Sequence, residues 1–261
     1  MSARTYRTLR VEARGGILTI VLNRPERRNA IGVEMVNELL YALDDAHEDS
    51  EIRVVVLTGE GKAFCAGGDF AQMTSGTEGG GLPLKGDYAD LLLAMVRTSK
   101  PIIAKVNGHA LGGGLGLVAA STFAVASEDA ELGTPEINVG LFPMMIMAVL
   151  ARLVPRRKLL SMMLFGERMK AEEAARLGLL DRAVPATELD SAIDEIAAKL
   201  LSKSPLAIRL GLEAFAAQDD LDLATALPML RDRLGEILAT NDAREGLMAF
   251  FEKRSPKWTG T

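Results

Sequence analysis

Phe64-Cys65-Ala66-Gly67-Gly68-Asp69 and Asn107-Gly108-His109-Ala110-Leu111-Gly112-Gly113-Gly114 are glycine-rich turns, each placed shortly after an apolar, β-branched run. Those runs, Val54-Val55-Val56-Leu57 and Ile102–Val106, are short and bounded by charge, proline and glycine, as strands buried on both faces are. They are expected to deliver one turn each. Turns so rich in glycine present bare backbone N–H groups. One oxygen held between an N–H of the first turn and one of the second would sit in an oxyanion hole, which stabilises it most when it gains negative charge in a transition state. Pro135-Glu136 follows on another turn. Together these segments predict a site that polarises a carbonyl while one carboxylate moves protons beside it.

Outward from the turns, strand and helix patterns alternate. Ile17–Leu22 reads as a strand closed by Asn23-Arg24-Pro25, and Val36, Leu39, Leu40 and Leu43 then recur at helical spacing. Residues 115–120 read as a buried helix beginning at the glycines, where free N–H groups and the helix dipole favour negative charge. Residues 123–126 read as the next strand. Past Pro143 the character becomes helical: Thr187-Glu188-Leu189-Asp190 resembles a capping box, Ile193, Ile196, Ala197 and Leu200 share a face, and Ser204-Pro205 opens another helix. Periodic segments at 221–238 and 242–251 complete that region. The patterning predicts an α/β core over residues 1–200 and a helical region over 201–261. The one low-complexity patch, 74–81, is expected to be a surface loop at the entrance to the site.

Composition removes several classes. With 261 residues, 48% hydrophobic and 25% charged, the chain buries about three quarters of its unfolded surface. A net charge of −5 and a pI near 5.3 argue against nucleic acid as the main partner. One cysteine excludes an internal disulfide, and Met1-Ser2-Ala3-Arg4 leads into a polar strand rather than an apolar signal segment, so the cytoplasm is expected. Apolar stretches break well before the ~20 residues that span a bilayer, so no membrane role is expected. Two histidines and one cysteine make a zinc site of the usual type unexpected.

The ordered motifs resemble the crotonase superfamily, the enoyl-CoA hydratase/isomerase family, nearly end to end. The set comprises Leu22-Asn23-Arg24-Pro25 with Asn29-Ala30, the two glycine turns, Gly133-Thr134-Pro135-Glu136, Leu164-Phe165-Gly166-Glu167, Ala171-Glu172-Glu173-Ala174, Leu177-Gly178-Leu179, Arg244-Glu245-Gly246 and Phe250-Phe251-Glu252-Lys253-Arg254. The resemblance implies a ClpP-like spiral of ββα units with a C-terminal helical trimerisation region, assembled as homotrimers or homohexamers. It also implies coenzyme A thioester substrates, coenzyme A being part of the substrate and no separate cofactor being needed. By motif position, Ala66 and Gly113 would supply the oxyanion-hole N–H groups. Ala30, Gly67, Gly68 and Asp69 would lie along the coenzyme, and Phe250 and Lys253 would meet it from a neighbouring subunit.

Hydratases of this family use two glutamates, and in this chain the first of those positions is Gly116 while Glu136 keeps the second. Met144 stands where the hydratases carry a glycine that helps hold the attacking water. Hydration needs a water positioned and deprotonated while carbon is protonated, so two carboxylates suit it; moving a double bond needs one base and an oxyanion hole. Δ3,Δ2-enoyl-CoA isomerisation is therefore the expected reaction. Hydration of a 2-enoyl-CoA, with Asp69 or a carboxylate of the loop around Glu78 as second acid, is the alternative, and a non-catalytic binding member of the fold is a further one. A glutamate restored at 116 is expected to bring some hydration if it fits beside Met144. His109 is read as a packing residue, Cys65 as non-nucleophilic, Met144 as pocket lining and Met147 as core.

Overall fold

The β-branched runs assemble side by side in the computed structural model, which describes residues 4–69 and 81–261. A six-stranded sheet runs in the order β1 (Leu9–Arg14), β2 (Ile17–Leu22), β3 (Val54–Gly59), β5 (Ile102–Val106), β7 (Phe123–Ser127), β10 (Arg182–Val184). β1 and β2 pair antiparallel; every later pairing is parallel. All of β3 is buried, and its side chains alternate between two apolar layers. Val55 and Leu57 join the main core with Met35 and Leu39 of α1 (Val33–Glu48), whereas Val54 and Val56 pack with Leu189, Ile193 and Ala197 of α7 (Leu189–Leu201).

A second sheet holds the short strands β4 (Ala63–Cys65), β6 (His109–Leu111), β8 (Glu131–Gly133) and β9 (Arg168–Lys170), in that order. β4, β6 and β8 are parallel and β9 is antiparallel to β8. β3, β5 and β7 each pass the chain through a tight connection to β4, β6 and β8. This corrects the expectation that the long buried runs deliver the turns directly. A three-residue strand is too short to show a period in sequence. Glycine is required at one of these connections, since a Cβ on Gly108 would overlap the Lys62 carbonyl.

Helices close the units: α2 (Tyr88–Val96), α3 (Gly113–Ala119), α4 (Met144–Leu150), α5 (Arg156–Phe165) and α6 (Ala171–Arg176). The final helices α8 (Pro205–Gln218), α9 (Leu223–Leu238) and α10 (Asn241–Glu252) pack on one another. Buried Asp242 ties the C-terminal tail back, accepting from Ser204 Oγ at 2.6 Å, Thr259 N at 2.8 Å and Gly260 N at 3.1 Å. Phe215, Leu223, Leu227, Phe250 and Phe251 of this region are exposed. The expected entrance loop at 74–81 lies, apart from Gly81, outside the described residues. No helix of the described residues is long and apolar enough to cross a membrane.

Candidate active site

Because β4, β6 and β8 are parallel neighbours, their carboxyl ends lie together, and in open α/β sheets such ends are where ligands bind. Residues 66–69 leave β4, Gly112 leaves β6, and Thr134-Pro135-Glu136 leave β8. Gly112 N–H donates to the Gly133 carbonyl at 2.9 Å, locking the second turn to the third. A Cβ on Gly112 would stand 2.7 Å from Glu136 Oε1 and 3.6 Å from Gly67 Cα, so all three segments meet at one point. Gly67 and Gly112 have φ of +104° and +50°, values that side chains rarely tolerate.

Glu136 sits in the 3₁₀ turn Pro135–Val139 and is half-buried. Its Oε2 is buried and has no hydrogen-bond partner among the described residues. Burial raises its pKa above the usual carboxylate value, opposed in part by a hydrogen bond to its own backbone. A carboxylate that is desolvated, unpartnered on one oxygen and aimed at a glycine turn is equipped to take and return a proton.

Gly113 opens α3, so its N–H has no acceptor within the helix. The first turn departs from expectation: the Ala66 N–H donates to the Arg28 carbonyl at 3.0 Å and is already committed. Gly68 is placed differently. Ile31 pairs with it as a parallel bridge, with Ile31 N–H donating to Gly67 O and Asp69 N–H to Ile31 O, both at 2.8 Å. That pattern turns Gly68's own N–H away from residue 31, and it has no partner among the described residues.

The charged and polar residues around this turn act as its frame. Asp69 is buried and bridged by Arg24 at 3.1 Å and Arg27 at 2.8 Å, which removes it as the second acid of a hydratase. Glu78 lies outside the described residues. Ala30 is half-buried beside this pair, its carbonyl accepting from Arg24 at 3.4 Å. Asn29 is fully buried at φ +56°; its Nδ2 donates to Glu60 O at 3.0 Å and Ala63 O at 2.9 Å, and its Oδ1 accepts from Arg24 N at 2.9 Å. Asn29→Ala is expected to destabilise the fold by about 2–3 kcal/mol, since it orphans buried backbone groups, and chemical denaturation measures it.

Gly116 is buried, and a Cβ there would overlap both the Tyr88 hydroxyl and Ile146 Cγ2. A glutamate at 116 therefore does not fit beside Met144 as expected. Met144 is exposed, with its N–H donating to Phe142 O at 2.8 Å, while Ile146 of α4 faces Gly116 in its place. Met147 packs against the core. His109 is exposed at the start of β6, and its Nδ1 accepts from Glu131 N–H at 3.0 Å. Burial pushes the Cys65 thiol up to about 12, so it is not a nucleophile. Phe250 and Lys253 are exposed on and just past α10, whose packing partners in this chain are α8 and α9.

Sequence reasoning missed Tyr88. The capping box of Asp87 and Asp90 marks the start of α2 and puts Tyr88 at its first position. Nothing local, however, signals that this helix end abuts the glycine turn 25 residues onward, where the Tyr88 hydroxyl donates to Gly113 O.

The chain is similar to known proteins along nearly its whole length. Residues 12–261 match the family model described as enoyl-CoA hydratase/isomerase. A putative enoyl-CoA hydratase of Thermus thermophilus is 36% identical over 251 residues, covering 94% of this chain and 98% of its own length. The short-chain-enoyl-CoA hydratase of Clostridium acetobutylicum is 34% identical and 94% covered on both sides. Among solved structures, the enoyl-CoA hydratase of Mycobacterium smegmatis superposes with a TM-score of 0.90 at 33% identity, covering 97% of this chain and 99% of that one. The chain belongs to the enoyl-CoA hydratase/isomerase family, has the α/β crotonase fold, and is an enzyme of that family.

Proposed function

We propose that the protein is a Δ3,Δ2-enoyl-CoA isomerase that works with one glutamate. The observation that carries this reading is that Glu136 reaches the glycine turn with a carboxylate oxygen unpartnered among the described residues, whereas the Asp69 carboxylate of the first turn is bridged to Arg24 and Arg27 and position 116 is filled by Tyr88 and Ile146. The thioester oxygen would lie between the N–H of Gly113 and that of Gly68, which replaces the committed amide of Ala66. Glu136 removes a proton from C2 of the 3-enoyl thioester, the two amides stabilise the dienolate, and Glu136 returns the proton at C4. Hydration is the second reading, favoured by the names of the relatives above. Purified protein offered a 3-enoyl-CoA and a 2-enoyl-CoA separately tests both. Conjugated thioester forming from the 3-enoyl substrate is expected; rapid hydration of the 2-enoyl substrate with the 3-enoyl substrate untouched would overturn isomerisation.

The same reading assigns the coenzyme to Ala30, Gly67, Gly68, Asp69 and Met144 of one subunit and to Phe250 and Lys253 of the next, within a homotrimer or homohexamer. The exposed apolar side chains of α8–α10 support assembly through residues 201–261, a helical region distinct from the core over 1–200. A cytoplasmic setting is proposed with it. Lys253→Ala is expected to raise KM for acyl-CoA roughly tenfold, equivalent to about 1.4 kcal/mol, with kcat little changed. Steady-state kinetics check this, and an unchanged KM would remove Lys253 from the coenzyme site.

A further inference from the structure

One aromatic side chain, Tyr88, lies across the glycine turn from Glu136, and one aliphatic side chain, Ile146, shares with it the space at Gly116 where a second acid would stand. Gly112 and Gly113 are neighbours in the chain. A Cβ on Gly112 would meet Glu136 Oε1 at 2.7 Å, and one on Gly113 would meet the Tyr88 hydroxyl at 3.6 Å, so carboxylate and phenol flank the same short stretch of backbone. The phenol is held from three directions. Asp87 caps α2 by accepting from Ala89 N at 2.8 Å and Asp90 N at 3.1 Å, fixing where Tyr88 begins. Its ring packs against the main core, and its hydroxyl donates to Gly113 O. Burial first, then Cys65 and Glu136, holds that hydroxyl well above the usual phenol range, so it stays a neutral donor.

We propose that Tyr88 is a specificity-determining residue: its hydroxyl, with Ile146 behind it, fills the volume at Gly116 and so denies Glu136 a neighbouring nucleophilic water. The consequence is a partition. On an acyl-CoA bound at the glycine turns, Glu136 can move a proton between carbons, but water is kept from adding its oxygen to C3. This rests on the isomerase reading and deepens it. Opening the volume should admit a water that the freed Gly113 carbonyl can hold. Glu136 can then take that water's proton and deliver it to C2 as the oxygen bonds to C3, so the step balances without a further reactant.

The test compares the ratio of 2-enoyl-CoA hydration to 3-enoyl-CoA isomerisation in the wild type, Tyr88→Phe and Tyr88→Ala, with thermal melts to establish that each variant is folded. Tyr88→Ala is expected to raise the ratio by at least about tenfold, a relative barrier change of about 1.4 kcal/mol, with Tyr88→Phe in between. A folded Tyr88→Ala protein that still isomerises at the wild-type ratio would overturn the proposal. Should Tyr88→Ala not fold, the Phe variant decides: a raised ratio supports the role of the hydroxyl and an unchanged one overturns it. A wild type inert toward 3-enoyl-CoA would instead overturn the isomerase reading, which separates the two failures.

Discussion

Glu136→Gln is expected to lower kcat on 3-enoyl-CoA by about a thousandfold, within the roughly 10² to 10⁴ that a positioned acid–base group supplies. Gln preserves the shape of the carboxyl and its approach to Gly112, so binding of the thioester should persist. The same variant carries a stability signature. Burial raises the Glu136 pKa in the folded protein above its unfolded value. The stabilisation from its bound proton is therefore fully present below the unfolded pKa and is lost as pH rises through the folded one. At neutral pH the wild type holds a desolvated charge that Gln lacks, so the variant should melt at an equal or higher temperature, the difference vanishing in acid. For the same reason kcat/KM of the wild type should rise with pH through a value above the ordinary carboxylate range. Near-normal turnover in Glu136→Gln would remove this residue as the proton carrier.

Gly112→Ala should be almost as damaging, by geometry rather than chemistry. The backbone at 112 has φ +50° and ψ −124°, where an L side chain costs about 1–3 kcal/mol. The new methyl would also lie 2.7 Å from Glu136 Oε1, and the carboxylate, as the free end of a flexible side chain, is the partner that must move. A displacement of about 1 Å at a reacting group can cost a hundredfold, so kcat should fall by at least that much alongside the lost stability. Denaturation and single-turnover kinetics on one preparation measure both. A variant with wild-type stability and turnover would show that the glycine turn does not set the position of the acid.

Much of this fold was legible in the sequence because its signals are local. The buried runs at β3 and β5 announced themselves through β-branched residues between punctuating glycines and prolines, and the helical final third through its period. The turn that carries Glu136 and the second glycine turn were equally readable, since both lie beside their own prolines and glycines. What escaped were features made by register between distant segments. β4, β6 and β8 are three residues each, and only their parallel pairing brings the turns to one edge. The Ala66 amide looked free in sequence, yet Asn29 and the left-handed backbone at Arg28 and Asn29 bring the Arg28 carbonyl onto it. Gly116 looked like the loss of an acid, whereas in space it is the gap into which Tyr88 and Ile146 pack. A single sequence records which residue is small; it does not record what fills the space.

The most direct measurement follows the path of the proton. A 3-enoyl-CoA is turned over in deuterated water, and the product is analysed by mass spectrometry and by proton resonance at C2 and C4. A single carboxylate that lifts a proton from C2 and returns it at C4 predicts a 2-enoyl-CoA with no added oxygen and with part of the original hydrogen retained at C4, formation of which is lost in Glu136→Gln. A product heavier by one water, or unimpaired formation of the 2-enoyl thioester by Glu136→Gln, would contradict it.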